Sequence, residues 1–475
     1  VLQHGTRHNW SLFGGPVREF MRTVLASAIG YIIGSFFLMF MSVIFVFVII
    51  GAIAAVNRTK DISAEAIREK SVLFVNVEGP VRERRSTSDF VKELLSEDSP
   101  KEIGLFEMEE TLDAAAKDKN IKGLYLRLRW VESGWAKLES FRNLLKKFKK
   151  SGKFIYAYSE AYDEKLYYLA SVADEILLYP KGEFEWNGIF IKSMFFKKTL
   201  GKLEVEPTLI RAGKFKSAGE MIINEKMSEE NRYQLSELTK YIWETVVNHI
   251  ALDRKMDVNE LNALAEKLDV ATAQEAYNHK FVTQLVPIEE VEKKLIKASG
   301  VKGDEPRLIS WSFYHEANGD HSFMGKKNKV AVILAEGEIQ SGSGGSNDMI
   351  YSDELSGLIR DLNKEDDVKA VVLRIDSPGG SALASDVIWR SLEYLKKKKK
   401  VVSSFSDVAA SGGYYIAAGS DYIYAEPTTI TGSIGVFGIM MGTEKFFDHK
   451  LGITFDQVKT HSSADMSTGR ALTPF

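Results

Sequence analysis

Lys122-Gly-Leu-Tyr-Leu-Arg-Leu128 is written a second time in this chain, as Lys369-Ala-Val-Val-Leu-Arg-Ile375, 247 positions downstream. The same displacement, without a gap, carries Lys153 to Lys400, Ser159 to Ser406 and Tyr167-Tyr168 to Tyr414-Tyr415. It continues through Ala170 to Ala417, Asp174 to Asp421, Pro180 to Pro427 and Gly188 to Gly435. Identities of such mixed chemical type rarely hold one register by chance, so the sequence predicts a duplicated domain.

Each copy alternates short apolar runs with amphipathic stretches. Val72–Val77 and Val330–Leu334 open the copies, and Phe106–Lys117 and Ser352–Leu362 have helical periodicity. Leu124–Leu128 and Val371–Ile375 read as buried strands, followed by a helix and a further strand at Phe154–Tyr158 and Val401–Phe405. Strand, crossover helix, strand requires parallel pairing and an α/β architecture. The polar stretch 299–328 is the expected linker between a first domain at 58–298 and a second at 329–475. The charge-rich helical sequence Ser228–Lys297 belongs to the tail of the first copy and carries no chemical signal.

The chain has 475 residues, enough for two or three domains, with 45% hydrophobic and 27% charged residues. A formal net charge of −3 gives no reason to expect nucleic acid as a partner. With no cysteine, disulfides, thiolate metal sites and cysteine nucleophiles are excluded. Between a polar segment 1–22 and the first domain, residues 23–57 contain no charged side chain. A bilayer needs about 20 apolar residues, and a signal-peptide core has only about 7–15, so the stretch is expected to be a retained transmembrane anchor. Arg7, Arg18 and Arg22 precede it and Arg58, Lys60, Arg68 and Lys70 follow, so charge alone does not orient it.

The two copies diverge where strands end. After Leu373-Arg-Ile375 the second copy has Asp376-Ser-Pro-Gly-Gly-Ser381, whereas the first has Arg129-Trp-Val-Glu-Ser-Gly-Trp135. Glycines beyond the carboxyl end of a parallel strand let backbone N–H groups approach an oxyanion, although Pro-Gly-Gly alone reads more simply as a tight turn. After Val401–Phe405 the second copy continues Asp407-Val-Ala-Ala-Ser-Gly-Gly413. A serine between alanine and glycine on a strand-to-helix turn is open at the mouth of the sheet and near the positive end of the helix dipole. Ser411 is therefore a candidate nucleophile; the commoner role for a lone serine there is a helix N-cap. The register-matched residue of the first copy is Glu164.

A nucleophilic serine needs a base. None of the eight histidines falls in a recognisable catalytic setting, and His461 alone lies close downstream of Ser411. No metal-ligand spacing is present, and neither metal nor cofactor is expected. A lysine serves instead when burial pulls its amine well below its ordinary pKa of about 10.4. Ile210-Arg-Ala-Gly-Lys-Phe-Lys-Ser-Ala218 offers Lys214 and Lys216, both surface lysines by ordinary expectation.

Four motifs in order, Gly213-Lys-Phe-Lys-Ser-Ala218, Asp376-Ser-Pro-Gly-Gly380, Ala410-Ser-Gly-Gly-Tyr414 and Thr431-Gly-Ser-Ile-Gly-Val436, resemble the bacterial signal peptide peptidase A (protease IV) family in its long, duplicated form. The resemblance runs from the anchor to Phe475. It implies tandem Clp-protease/crotonase-like domains behind one transmembrane helix, anchored in the bacterial inner membrane with the catalytic body on the periplasmic side. It further implies Ser411 as nucleophile, Lys216 as general base, backbone N–H groups at Gly379, Gly380 and Gly412 as the oxyanion site, and Ser433 orienting the lysine. Hydrophobic peptides such as cleaved signal peptides are the implied substrates, and a closed homo-oligomer, a tetramer, the implied assembly. The first copy would keep the lysine and the second the serine, since the stretch matched to Lys216, near Ser462–Ala464, contains no lysine. The chain departs from the family where Gly219-Glu-Met-Ile222 replaces Val-Glu-Pro-Phe, and in ending at Phe475, where further helical structure is expected. The competing readings are a crotonase-type acyl-CoA enzyme, which uses similar glycine-lined oxyanion sites, and a catalytically inactive membrane scaffold or chaperone.

Overall fold

The computed structural model describes residues 20, 22–32, 34–45, 67–85, 102–318, 328–345, 348–461, 464 and 469. It separates into two compact units, Val1–Ile67 and Arg68–Phe475. Within the first, the described residues form a 24-residue helix, Arg22–Phe45, with a mean hydropathy of 2.2, long and apolar enough by length and composition to cross a bilayer. The rest of the expected anchor, residues 46–57, lies outside the described residues.

The second unit is a mixed α/β structure built on two parallel sheets. The first sheet comprises β1 (Ser71–Arg82), β2 (Ile103–Gly104), β3 (Ile121–Glu132), β4 (Phe154–Tyr162), β5 (Glu175–Phe184), β7 (Gln284–Leu285) and β8 (Leu308–Ser310) in the order β2-β1-β3-β4-β5-β7, with β8 also on β1. The second runs β14 (Tyr422–Tyr424), β13 (Lys400–Ala410), β12 (Val368–Ser377), β9 (Lys329–Glu336), with β15 (Ile430–Gly432) also on β13. A small pair is formed by β10 (Glu338–Gln340) and β11 (Met349–Tyr351), and another by β6 (Glu206–Arg211) and β16 (Phe437–Gly442). Crossover helices Leu105–Lys117, Trp135–Lys149, Ser352–Leu362 and Ala382–Lys396 fall where the apolar periodicity predicts them.

Burial explains the continuous apolar runs of the first sheet. Val72, Leu73, Val75, Leu124, Leu126 and Leu128 are all fully buried, so neighbouring residues on one strand face helix on both sides of the sheet. In the second sheet burial alternates: Val371, Leu373 and Ile375 are in the core while Val330 and Val332 of the adjacent strand are exposed. The stretch 299–328, expected to be only a linker, instead contributes β8, which pairs with β1, and the helix Trp311–Asn318. Leu308-Ile-Ser310 is too short a signal among Gly, Asp and Asn to be read as a strand.

The ladders also correct the gap-free match of the repeat. Gly123 faces Phe154 as Ala370 faces Lys400, so over this part of β4 and β13 the displacement is 246, not 247. It returns to 247 by Ala161, which faces Glu183 as Val408 faces Ile430, the slip being absorbed at irregularities in both strands. Lys153 and Lys400 thus do not occupy matching ladder positions.

One pairing was not foreseen from the sequence. β6, from the front half of the chain, runs antiparallel to β16, from the back half, with Arg211 opposite Phe437 and Glu206 opposite Gly442. Ala212 N–H continues the ribbon by donating to the Val436 carbonyl at 2.9 Å. The ribbon brings the segment after Arg211 alongside Ser433–Gly435.

Candidate active site

β13 ends at Ala410, and Ser411 occupies the N-cap of the short helix Gly412–Ala417. Its backbone has φ 53° and ψ −116°, a left-handed conformation that a side chain rarely adopts and that costs on the order of 1–3 kcal/mol. The strand is held there because Ser411 N–H donates to Gly432 of β15 at 2.9 Å. The hydroxyl makes no capping bond to its own helix. The N-cap role is therefore not what fixes this serine.

The hydroxyl instead meets Lys216. Nζ lies 2.9 Å from Ser411 Oγ, 3.0 Å from Ser433 Oγ and 2.6 Å from the Ser433 carbonyl. Lys216 is only 3% exposed, and burial lowers its pKa below the ordinary lysine value. Among the described residues no carboxylate pairs with its amine. Lys214, the other lysine of the segment, points to the surface and pairs with Glu230 at 3.6 Å. The backbone of Lys216 is fixed as well. Arg211 Nη1 donates to its carbonyl and to the buried Glu220, both at 3.0 Å, and Ser228 Oγ donates to Glu220 at 2.7 Å. His461 is exposed, and its ring nitrogen bonds Thr460 Oγ1 at 3.1 Å.

The Pro-Gly-Gly turn lies directly against the serine. A Cβ on Gly379 (φ 99°) would sit 2.8 Å from Ser411 Cβ and 2.5 Å from Gly412 N, so only glycine permits this approach. Gly379 N–H is already engaged, donating to Ser377 Oγ at 3.2 Å. No acceptor among the described residues takes the N–H of Gly380 or of Gly412, and the two peptides are adjacent, a Cβ on Gly412 lying 3.2 Å from Gly380 N. Two backbone donors beside a hydroxyl bonded to a lysine make a geometry suited to an oxyanion.

In the front half, the residue 247 positions before Ser411 is Glu164, the first residue of the helix Glu164–Ala170. Burial raises its pKa, and its carboxylate accepts Asn187 and Gly188 N–H at 2.7 and 3.0 Å. The residue matched to Lys216, near 462–464, falls largely outside the described residues.

Comparison with known proteins places the chain among peptidases. The profile of peptidase family S49 matches residues 147–302 and 393–474. The chain is similar to Protease 4 of Salmonella typhi, 31% identical over 451 residues that cover 92% of this chain and 72% of that protein. It is also similar to Protease 4 of Haemophilus influenzae, 33% identical over 417 residues, with 85% and 68% covered. The chloroplastic serine protease SPPA of Arabidopsis thaliana is 32% identical over 423 residues, covering 85% of this chain and 58% of that one.

Proposed function

The chain belongs to peptidase family S49 and is a serine peptidase of the protease IV type, and from that premise we propose that it cleaves peptides with Ser411 as nucleophile and Lys216 as general base. The observation that carries this reading is the 2.9 Å contact between Ser411 Oγ and the amine of a 3%-exposed lysine that has no carboxylate partner among the described residues. Neutral Lys216 takes the hydroxyl proton as Ser411 Oγ bonds to the scissile carbonyl carbon. The carbonyl oxygen becomes an oxyanion held by the N–H groups of Gly380 and Gly412, while Gly379 supplies the room. Lys216 then gives its proton to the leaving amine as the C–N bond breaks; its free Nζ next deprotonates a water that attacks the acyl carbon, and the proton returns to Ser411 Oγ as the ester bond breaks. Ser433 holds Nζ so that its lone pair faces Ser411.

The same reading extends to the whole molecule. The matching strand orders of the two sheets fit a tandem duplication of a Clp-protease/crotonase-like domain in which one copy kept the lysine and the other the serine. Arg22–Phe45 would anchor the chain in the inner membrane with the catalytic body on the periplasmic side. Hydrophobic peptides left by signal-peptide cleavage are the natural substrates beside such an anchor, and a homo-oligomer, a tetramer, would enclose the sites.

A fluorophosphonate probe tests the chemistry. The full-length protein should be labelled at Ser411, with labelling lost in Ser411→Ala and Lys216→Met. A wild-type protein that is folded but unlabelled, or a Ser411→Ala variant that still labels, would end the serine-lysine assignment.

A further inference from the structure

Lys137 is another buried lysine, paired with carboxylates on the strands that lead to the Pro-Gly-Gly turn and to Ser411. It is 6% exposed, in the first turn of the helix Trp135–Lys149 of the front half. Its ammonium donates to Asp376 Oδ2 at 2.5 Å and lies 3.7 Å from Asp407 Oδ2 and 3.8 Å from Glu336 Oε1, all three on the back half. A buried ammonium among carboxylates is expensive to remove but is not by itself a stabilising feature, so its retention asks for a reason beyond stability.

The places of its partners supply one. Asp376 is the penultimate residue of β12, just before the Ser377-Pro-Gly-Gly380 turn, and Asp407 lies four residues before Ser411. Between them the β12–β13 ladder is broken: Ile375 faces Phe405, but Ser377 faces Ala409. In the gap, Asp376 Oδ1 accepts Val408 N–H at 3.0 Å, a side chain standing in for the missing ladder bond. Asp407 in turn accepts Gly134 N–H at 2.9 Å and Lys137 N–H at 2.8 Å. The helix has no side-chain cap of its own, so a carboxylate from the other half satisfies its first free donors.

We propose that Lys137 is a positioning residue for the Ser411 reaction: as a latch between the halves it fixes the separation between the Gly380 amide and Ser411, and so the oxyanion site. The inference rests on the serine-lysine reading above. Without the ammonium, Asp376 and Asp407 face each other unscreened, and the strand segments that carry them spread. The base is untouched, because Lys216 is held by Ser433 and Arg211 rather than by this cluster.

The test uses the full chain and compares Lys137→Met, Asp376→Asn and Lys137→Arg. It reads the fluorophosphonate labelling rate, kcat and KM on a fluorogenic peptide, the Ki of a peptide aldehyde whose bound adduct carries an oxyanion, and the melting temperature. Lys137→Met and Asp376→Asn should each lower kcat and the labelling rate at least about 10-fold and weaken the aldehyde by a similar factor, with KM within about 2-fold. The acid limb of the pH profile should stay in place, and Lys137→Arg should restore most of the rate. Folded variants with unchanged labelling and aldehyde affinity overturn the latch. So does a loss of activity that only tracks the unfolded fraction and is not rescued by arginine. Should Lys137→Met fail to fold, Asp376→Asn, which keeps an acceptor for Val408 N–H, decides by the same readouts. Failure of the wild-type protein to label at Ser411 would reject the peptidase assignment itself rather than the latch.

Discussion

At Lys216, burial disfavours the ammonium, and among the described residues no carboxylate stands by to offset it. The reactive form is the free amine, so kcat/KM should rise with pH as Lys216 loses its proton, and at a lower pH than an ordinary lysine would give. A pH–rate profile measures that limb directly; Lys216→Arg, whose guanidinium stays charged, should abolish activity across the range. Ser433→Ala leaves the carbonyl contact but removes the hydroxyl at 3.0 Å. The loss of one hydrogen bond of about 1–1.5 kcal/mol predicts a kcat about 10-fold lower with KM little changed. How far these residues were legible varies with the kind of signal each carries. Ser411 shows itself by its small neighbours on a strand-to-helix turn. Lys216 does not, because nothing local separates it from Lys214, and its burial is created by Ser433 and Ser411, some two hundred residues away. Lys137 carries no mark either, being one of five basic residues in its helix.

Among the elements, the ribbon of β6 and β16 is what joins the two parts of the site. Gly435 follows Ser433 immediately before that ribbon, at φ 140°, and a Cβ there would lie 2.4 Å from the Ala212 carbonyl oxygen. Gly435→Ala should therefore push the Gly213–Lys216 turn away from Ser433. Strain of this kind costs about 1–3 kcal/mol, and the displaced base should lower kcat about 100-fold while circular dichroism stays native. Parallel strands and crossover helices were readable because their signal is local periodicity. The ribbon was not: β6 and β16 are too short and too far apart in sequence for either to announce its partner. The one-residue slip between β4 and β13 was hidden for a related reason, since an identity-based match cannot detect a bulge that preserves the register on either side of it.

Across the whole molecule, the halves are joined by charge as well as by the ribbon. Arg374 Nη2 lies 2.9 Å from Glu83 Oε1, and Ser406 Oγ also donates to Glu83, which is 3% exposed. Removing one member of a buried pair strands the other, so Glu83→Ala should destabilise the protein by about 3–5 kcal/mol, read as a lower urea midpoint. The arrangement also decides which chain completes which site. Lys216 and Ser411 of one chain are in hydrogen-bond contact, with the antiparallel ribbon of that same chain between them. Co-expressing a Lys216→Met chain with a Ser411→Ala chain, so that any oligomer mixes both, should then give no fluorophosphonate labelling above that of either variant alone. If instead the lysine reached a neighbouring subunit's serine, mixed assemblies would regain up to about a quarter of the sites. The measurement needs no knowledge of subunit number, because a site assembled within one chain fails to complement in a dimer, a tetramer or a monomer alike.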